Sequence, residues 1–390
     1  MERDNRLRHT GYATFFLSGI CSISSGIIVS LLQDWHGFSF GVTGMLLSCM
    51  NIGNMAAAFL AGILPGKIGL KRTALILSAG YALGYALNAF SGFVPLLFLA
   101  FLLMGLAKGG VLNVDSVLVG THTRDRKISM QLMHACYATG ALLCPFLVSA
   151  LTGVHHVMPM LGISACGIAL WTVYALAPLP DDTKQQAGNG SRAFLRDPVF
   201  WLLTLLMFCQ NGAEYGVTGW LVTYYKNLGI LTGTLSAYTM TVMWGATLLA
   251  RLLIAFVIPI RRPFKALACM GLGCTALYTL LICLRAPVPV TVMLFLFSMA
   301  MAGMNPLTVA TVGSSLTSES MAVMLPVGGI GGIVMPMVIG AVADRFGLPA
   351  GMFCNLVPCA GILVISLIMM GRTGKERTDS AREQDKSRET

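Results

Sequence analysis

Residues 93–118 read FVPLLFLAFLLMGLAKGGVLNVDSVL, an apolar run in which Lys108 and Asp115 are the charged residues. A helix rises 1.5 Å per residue, so about 20 apolar residues cross the hydrocarbon core of a bilayer. Inside that core no water meets a backbone N–H or C=O, and the run must therefore be helical. The same reading applies along the rest of the chain. It predicts spans over 10–33, 41–64, 70–91, 93–118, 129–153, 157–178, 197–225, 231–258, 264–285, 287–311, 318–343 and 349–371. Composition agrees: 56% of residues are hydrophobic, 11% are charged and the mean hydropathy is +0.76. A soluble domain carries about 25% charged residues. The expected fold class is an all-α polytopic membrane protein of twelve transmembrane helices.

The basic residues orient it. With both termini in the cytoplasm, all of the 26 Lys and Arg except Lys108, Lys226, Arg251, Arg285 and Arg345 fall on the cytoplasmic side. Cytoplasmic loops carry such an excess. The net charge of +10 is thus a topology signal. Its dispersal among short loops, without a basic stripe and interleaved aromatics, excludes nucleic acid as a partner. The basic N-terminus before 10–33 resembles a signal peptide, but the apolar run is long enough to span, so a retained first helix is expected. The short loops suit a bacterial inner membrane.

The stretch 179–196 interrupts the apolar pattern and reads as a cytoplasmic linker. It separates a six-helix bundle over 1–178 from another over 197–371. Residues 372–390 are charged and read as a disordered cytoplasmic tail. The halves echo each other at an offset of about 190 residues. Gly140 and Pro145 correspond to Gly331 and Pro336, Asn113 to Asn305, Gly120 to Gly313, and Lys71-Arg72 to Arg261-Arg262. Such a repeat places a solute site near the bilayer midplane, between two pseudo-symmetric bundles.

The eleven cysteines form no C-x-x-C pair, and they and the 24 methionines read as packing residues rather than metal ligands. No cofactor is expected. No metalloprotease, P-loop or dinucleotide motif occurs, so the chain is not read as an enzyme.

Gly62-Ile-Leu-Pro-Gly66-Lys67-Ile-Gly69-Leu-Lys71-Arg72, between the second and third spans, resembles the loop motif G-x-x-x-D-R/K-x-G-R-R/K of the major facilitator superfamily. Gly66 replaces its acidic residue. Trp244-Gly245 and Arg251 in the eighth span are similar to that superfamily's W-G-x-x-x-x-G-R, with Ala250 in place of the second glycine. Within the superfamily the chain is most similar to the fucose:proton symporter group of sugar permeases. Gly212-Ala213-Glu214, Trp220 and Tyr224 resemble its G-x-E-x5-W-x3-Y pattern. His134 through Pro145 resemble H-x-x-F-G-x-G-x-L-x-G-P, and Gly328 through Asp344 also fit. The first span lacks the acidic residue that the fucose symporter has there. The resemblance implies the superfamily fold, alternating access, and an inner latch that includes Lys67, Lys71, Arg72 and Arg251.

Charges inside a span are costly and point to function. Lys108 and Glu214 are expected to face a central cavity and to pair in one state. Asp115 is read as pairing with a cytoplasmic basic residue and, with Glu214 and His134, as a proton-coupling candidate. Arg251 has Glu319 or Asp115 as expected partners. A sugar presents hydroxyls and apolar C–H faces, so amides, carboxylates and aromatics are its natural ligands. The solute-binding candidates are Lys108, Asn113, Gln210, Asn211, Glu214, Trp220 and Asn305, with Gln131, Tyr137, Tyr224, Trp244, Asn51 and Asn54 as further options. Trp220 and Tyr224, near a span end, also suit an interfacial aromatic belt.

The expected function is secondary active transport of a small polar solute, a sugar or sugar-like metabolite, with proton symport, by a monomer in a lipid bilayer. The alternatives are a proton-coupled efflux antiporter for amphipathic compounds, an organic-anion transporter using Lys108, and a transporter-like sensor.

Overall fold

The computed structural model describes residues 2–123, 126–179, 192–231, 238–258, 260, 262–311 and 318–389. Its helices are α1 (Glu2–His36), α2 (Phe40–Ile68), α3 (Leu70–Phe90), α4 (Val94–Thr121), α5 (Arg126–Thr152), α6 (Met158–Leu176), α7 (Pro198–Asn227), α8 (Tyr238–Phe256), α9 (Pro263–Cys283), α10 (Pro287–Ala302), α11 (Met304–Thr311), α12 (Ser318–Phe346), α13 (Leu348–Cys354) and α14 (Leu356–Glu389). Among the described residues, nine helices are long and apolar enough to cross a membrane. The other three expected spans are occupied by α7, α8 and the α10–α11 pair. Large apolar side chains such as Phe90, Leu176, Phe346 and Val357 are exposed on the outside, as a lipid-facing surface requires.

Local chemistry sets the boundaries. Asp197 caps α7 by accepting from the Val199 amide at 2.9 Å, with Pro198 at the first helical position. Gly69, at φ 84°, reverses the chain between α2 and α3, a left-handed conformation that favours glycine. Two expected spans are broken. The tenth breaks at Gly303, three residues before Pro306, which has no amide hydrogen to continue the ladder. The twelfth breaks at Asn355, whose Nδ2 donates to the Ala213 carbonyl of α7 at 3.1 Å. The segment read as a disordered tail is instead helical to Glu389, continuous with α14; its Arg, Lys, Glu and Gln are good helix formers. Residues 180–191 of the expected linker lie outside the described residues, and Arg192–Arg196 form a 3₁₀ turn before α7.

Helices α1–α6 pack mainly on one another, as do α7–α14. The repeat read from the sequence is visible in the packing. A Cβ on Gly140 would collide with the Phe16 carbonyl of α1, and one on Gly331 would collide with the Phe208 carbonyl of α7. Each glycine lets the corresponding pair of helices meet backbone to backbone. The halves meet where α2 packs on α12 and α5 on α8. These two pairings exchange under the repeat, which maps the second span onto the eighth and the fifth onto the eleventh.

One end of this seam is closed. A Cβ on Gly26, Gly44 or Gly340 would meet the carbonyls of Thr218, Pro336 and Phe40, respectively, each in the opposite half. At the same end the Gly41 amide donates to Asp344 Oδ2 at 2.8 Å, and the Ser48 hydroxyl to the Ile333 carbonyl at 2.6 Å. Asn51 Nδ2 donates to the Gly332 carbonyl at 2.7 Å, and Thr241 to the Leu142 carbonyl at 3.1 Å. Lys226, in the last turn of α7, forms an ion pair with Asp34 near the end of α1.

Candidate functional site

Beneath the closed end lies a cavity of about 90 Å³ between the halves. The N-terminal half lines it with Ser22 and Ser25 of α1, Asn51 of α2, Lys108 of α4 and Tyr137 of α5; the C-terminal half contributes Glu214 and Tyr215 of α7 and Trp244 of α8. Two of the intramembrane charges flagged by cost, Lys108 and Glu214, therefore reach one space.

They are not paired with each other in this state. Lys108 Nζ donates to the Tyr215 hydroxyl at 3.2 Å and lies 4.6 Å from the centroid of that ring. The Glu214 carboxylate instead accepts from Gln210 Nε2 at 2.7 Å, one turn away on α7. The cation thus finds its partner one residue beyond the carboxylate, across the seam. A ring attracts an ammonium by about 0.5–2 kcal/mol, which adds to the hydrogen bond to the hydroxyl.

Two buried polar atoms here are without partners: Gln210 Oε1, an acceptor, and Trp244 Nε1, a donor. Such orphans are uncommon in a buried site and leave hydrogen bonds for an occupant. The Trp244 ring meets the Tyr137 ring edge-on, with centroids 5.7 Å apart. Glu214 and Trp244 also line an adjoining chamber within the C-terminal half, together with Gln210 and Arg251. Two cations, one carboxylate, three aromatic rings and several hydroxyls and amides line these two adjoining spaces.

Other candidates lie elsewhere. Asn113 Nδ2 donates to the Gly109 carbonyl of its own helix at 2.7 Å. Asn211 Nδ2 donates to the Gly328 carbonyl at 3.1 Å, tying α7 to α12. Asn305 sits on α11, beyond the break at Gly303, and does not line the cavity. Trp220 is fully buried and donates from Nε1 to the Pro336 carbonyl at 3.1 Å, so it packs α7 on α12 rather than forming a belt or facing a solute. Tyr224 is likewise buried and donates to the Ile282 carbonyl. The side chains of Gln131, Arg261 and Glu319 lie outside the described residues.

Asp115 is fully buried and meets no basic residue among the described side chains. It accepts from Thr14 Oγ1 at 2.9 and 3.0 Å and from the Tyr174 hydroxyl at 2.7 Å. Hydroxyls supply the donors that a cation was expected to supply. His134 packs edge-on against Phe15 rather than in the cavity. Of the latch candidates, Lys67 and Arg72 are exposed. Lys71 donates to the Ala177 carbonyl within its own half, and Arg251 to the Ala302 carbonyl within its own. None of these four donates to the opposite half among the described hydrogen bonds; those that do, apart from Lys108 to Tyr215, lie at the other end.

The sequence reading missed Tyr215, Ser22, Ser25 and the Asp34–Lys226 pair. A tyrosine beside Glu214 carries no cost signal in a membrane. Asp34 and Lys226 stand in different halves, and only the fold brings them together.

Comparison with known proteins accords with this geometry. Residues 11–325 match the model of the Major Facilitator Superfamily. The chain is 26% identical over 219 residues to the putative niacin/nicotinamide transporter NiaP of Bacillus subtilis (strain 168), a match spanning 51% of this chain and 52% of that relative. It therefore spans about half the length of that relative. Among solved structures, nucleoside transporter NupG superposes with a TM-score of 0.73 at 17% identity, covering 95% of this chain and 99% of that one. The E. coli fucose:proton symporter FucP superposes with a TM-score of 0.61 at 20% identity, covering 93% and 98%. These structural likenesses establish a shared fold.

Proposed function

The chain belongs to the major facilitator superfamily of membrane transporters, and from that premise we propose that it moves a small polar solute by alternating access, driven by protons. The observation that carries this reading is the orphan pair beside Glu214. Gln210 Oε1, in the adjoining chamber, offers an acceptor and Trp244 Nε1, which borders both spaces, a donor. A sugar or the sugar of a nucleoside suits that combination, since its hydroxyls both donate and accept while its C–H face packs on a ring.

In this proposal both termini are cytoplasmic and the membrane is a bacterial inner membrane. The sealed end, where α1 finishes, then faces outward, and the conformation is inward-facing. The solute bridges Lys108 of one half and Glu214 of the other, so its binding favours closure of the halves around it. Lys67, Lys71, Arg72 and Arg251 lie toward the cytoplasmic end and engage across the seam in the opposite state. Glu214 couples a proton to occupancy, because the same carboxylate faces the solute.

A second reading is favoured by a separate observation. Lys108 and Arg251 place two cations against one carboxylate around the two adjoining spaces. A ring bearing a carboxylate would satisfy both the surplus charge and the aromatic walls.

The test is uptake of labelled fucose, uridine and nicotinate into cells expressing the chain, with and without a protonophore. Protonophore-sensitive accumulation of fucose or uridine supports the first reading, and accumulation of nicotinate alone supports the second. Uptake of none, with resistance to dyes, points to an exporter. Glu214→Gln should abolish protonophore-sensitive accumulation; retention of full accumulation would remove Glu214 from the coupling role.

A further inference from the structure

Asp115 has no place in the cavity, yet it is a carboxyl fully buried inside a membrane helix. Its neighbours from each packed helix are instructive. Helix α1 presents Thr14 and α6 presents Tyr174. Of the titratable side chains described toward this end on α2, α3 and α5, Lys67 and Arg72 are exposed, Lys71 donates to the Ala177 carbonyl and His134 packs on the Phe15 ring; those of Arg126 and Lys127 lie outside the described residues.

The donors are unusual in one respect. Thr14 Oγ1 lies 2.9 and 3.0 Å from the two carboxyl oxygens, and also 2.8 Å from the Thr10 carbonyl. Its single hydrogen can point either way. With the carboxylate ionised, Thr14 donates to it. With the carboxyl protonated, Thr14 turns its hydrogen to the Thr10 carbonyl and accepts from the new O–H. The Tyr174 hydroxyl donates to Oδ1 in both states. Either protonation state is therefore fully hydrogen-bonded without movement of a helix.

The same face of α1 leads back to the cavity. Ser22, which lines it, lies 2.6 Å from the Tyr81 hydroxyl, and Ser18 lies 2.9 Å from that hydroxyl. Ser18 stands one turn, about 6 Å along the axis, from Thr14, a step that requires one bridging water. Thr14, Ser18, Ser22 and Tyr81 are all buried.

We propose that Asp115 is a second proton-exchanging carboxyl, outside the solute cavity and joined to it by the hydroxyl file Ser22–Tyr81–Ser18–Thr14. This rests on the transporter reading given above. A proton entering at Ser22 displaces one along the file, each hydroxyl, and the water required between Ser18 and Thr14, receiving one and releasing one. The last forms an O–H bond on Asp115 Oδ2, and unloading reverses the steps.

The first test needs no solute. Infrared titration of the purified full-length chain follows the carboxylic-acid carbonyl stretch. A titrating band is expected in the parent, lost in Asp115→Asn, and displaced in Tyr174→Phe, which removes the donor to Oδ1. Identical titrations in the parent and Asp115→Asn would overturn the proposal. The second test uses proteoliposomes with a proton gradient and fucose, uridine and nicotinate as probes. Asp115→Asn should lose roughly tenfold or more in gradient-driven accumulation while solute-for-solute exchange continues; accumulation equal to the parent would overturn it. If Asp115→Asn does not reach the membrane, Tyr81→Phe, which breaks the file on both sides, should show the same split, and its absence counts against the proposal. If the parent transports none of the probes, the proposed solute classes fail, and the infrared titration alone decides the carboxyl.

Discussion

Lys108 and Tyr215 form a contact across the two halves in which one side chain satisfies a membrane cation twice. The ring centroid lies 4.6 Å from the ammonium and the hydroxyl 3.2 Å from it. The two elements of that contact are separable. Tyr215→Phe keeps the ring and loses one hydrogen bond, about 1 kcal/mol, so solute affinity should change by roughly fivefold or less. Tyr215→Leu also loses the ring face, about 0.5–2 kcal/mol more, and should give a distinctly larger change in half-saturating concentration. Equal effects of the two would show that the ring face contributes nothing.

Trp220→Phe separates structure from recognition. The residue bonds the Pro336 carbonyl rather than the cavity, so solute affinity should be unchanged. Stability should fall by about 0.6–1 kcal/mol, the value of a hydrogen bond within a membrane bundle. Thermal unfolding in detergent, read beside solute binding, checks both. A loss of affinity without a loss of stability would return Trp220 to the binding site.

The Asp34–Lys226 pair bridges the sealed end but is 41% and 32% exposed, and an exposed pair contributes about 0–1 kcal/mol. Asp34→Asn alone should therefore shift the state equilibrium by at most roughly fivefold. Charge reversal, Asp34→Lys, adds repulsion and should open the seam further, and combining it with Lys226→Asp should restore closure. The measurement is the rate at which an external thiol reagent modifies a Ser25→Cys reporter in a background without the native cysteines. A double reversal that stays open would mean the pair does not hold the seam.

Gly331 and Gly140 should tolerate no side chain. Their Cβ atoms would fall on the Phe208 and Phe16 carbonyls, and a backbone carbonyl in a helix cannot rotate away. Overpacking of this kind costs about 1–3 kcal/mol. Alanine at either position should lower the unfolding temperature, and by similar amounts, since the two contacts correspond. Gly66, with nothing near its Cβ position, is the control and should accept alanine.

Much of this is legible in the amino-acid sequence. Lys108 and Glu214 stand out because a charge in a bilayer needs a reason, and both face the cavity. Gly140 and Gly331 mark the repeat, and the same two glycines make the same contact. What stays hidden is direction. Asn113 bonds its own helix and Trp220 a neighbouring one, yet composition presents either as a solute ligand, because residue type does not say which way a side chain turns. The cost of burying Asp115 points to a cation beside it; two hydroxyl donors take that place, and neither Thr14 nor Tyr174 advertises the role. Tyr215 draws no notice beside the costlier Glu214.

The glycine seam has a consequence for the membrane itself. A carrier driven by an ion gradient must not short-circuit it, and a gap one water wide would leak. Where Gly26, Gly44 and Gly340 lie against opposing carbonyls, backbone meets backbone and leaves no room for a continuous thread of water. Such a seal also parts without reordering bulky side chains. In a carrier coupled to protons, the absence of side chains at these three positions would serve both insulation and release.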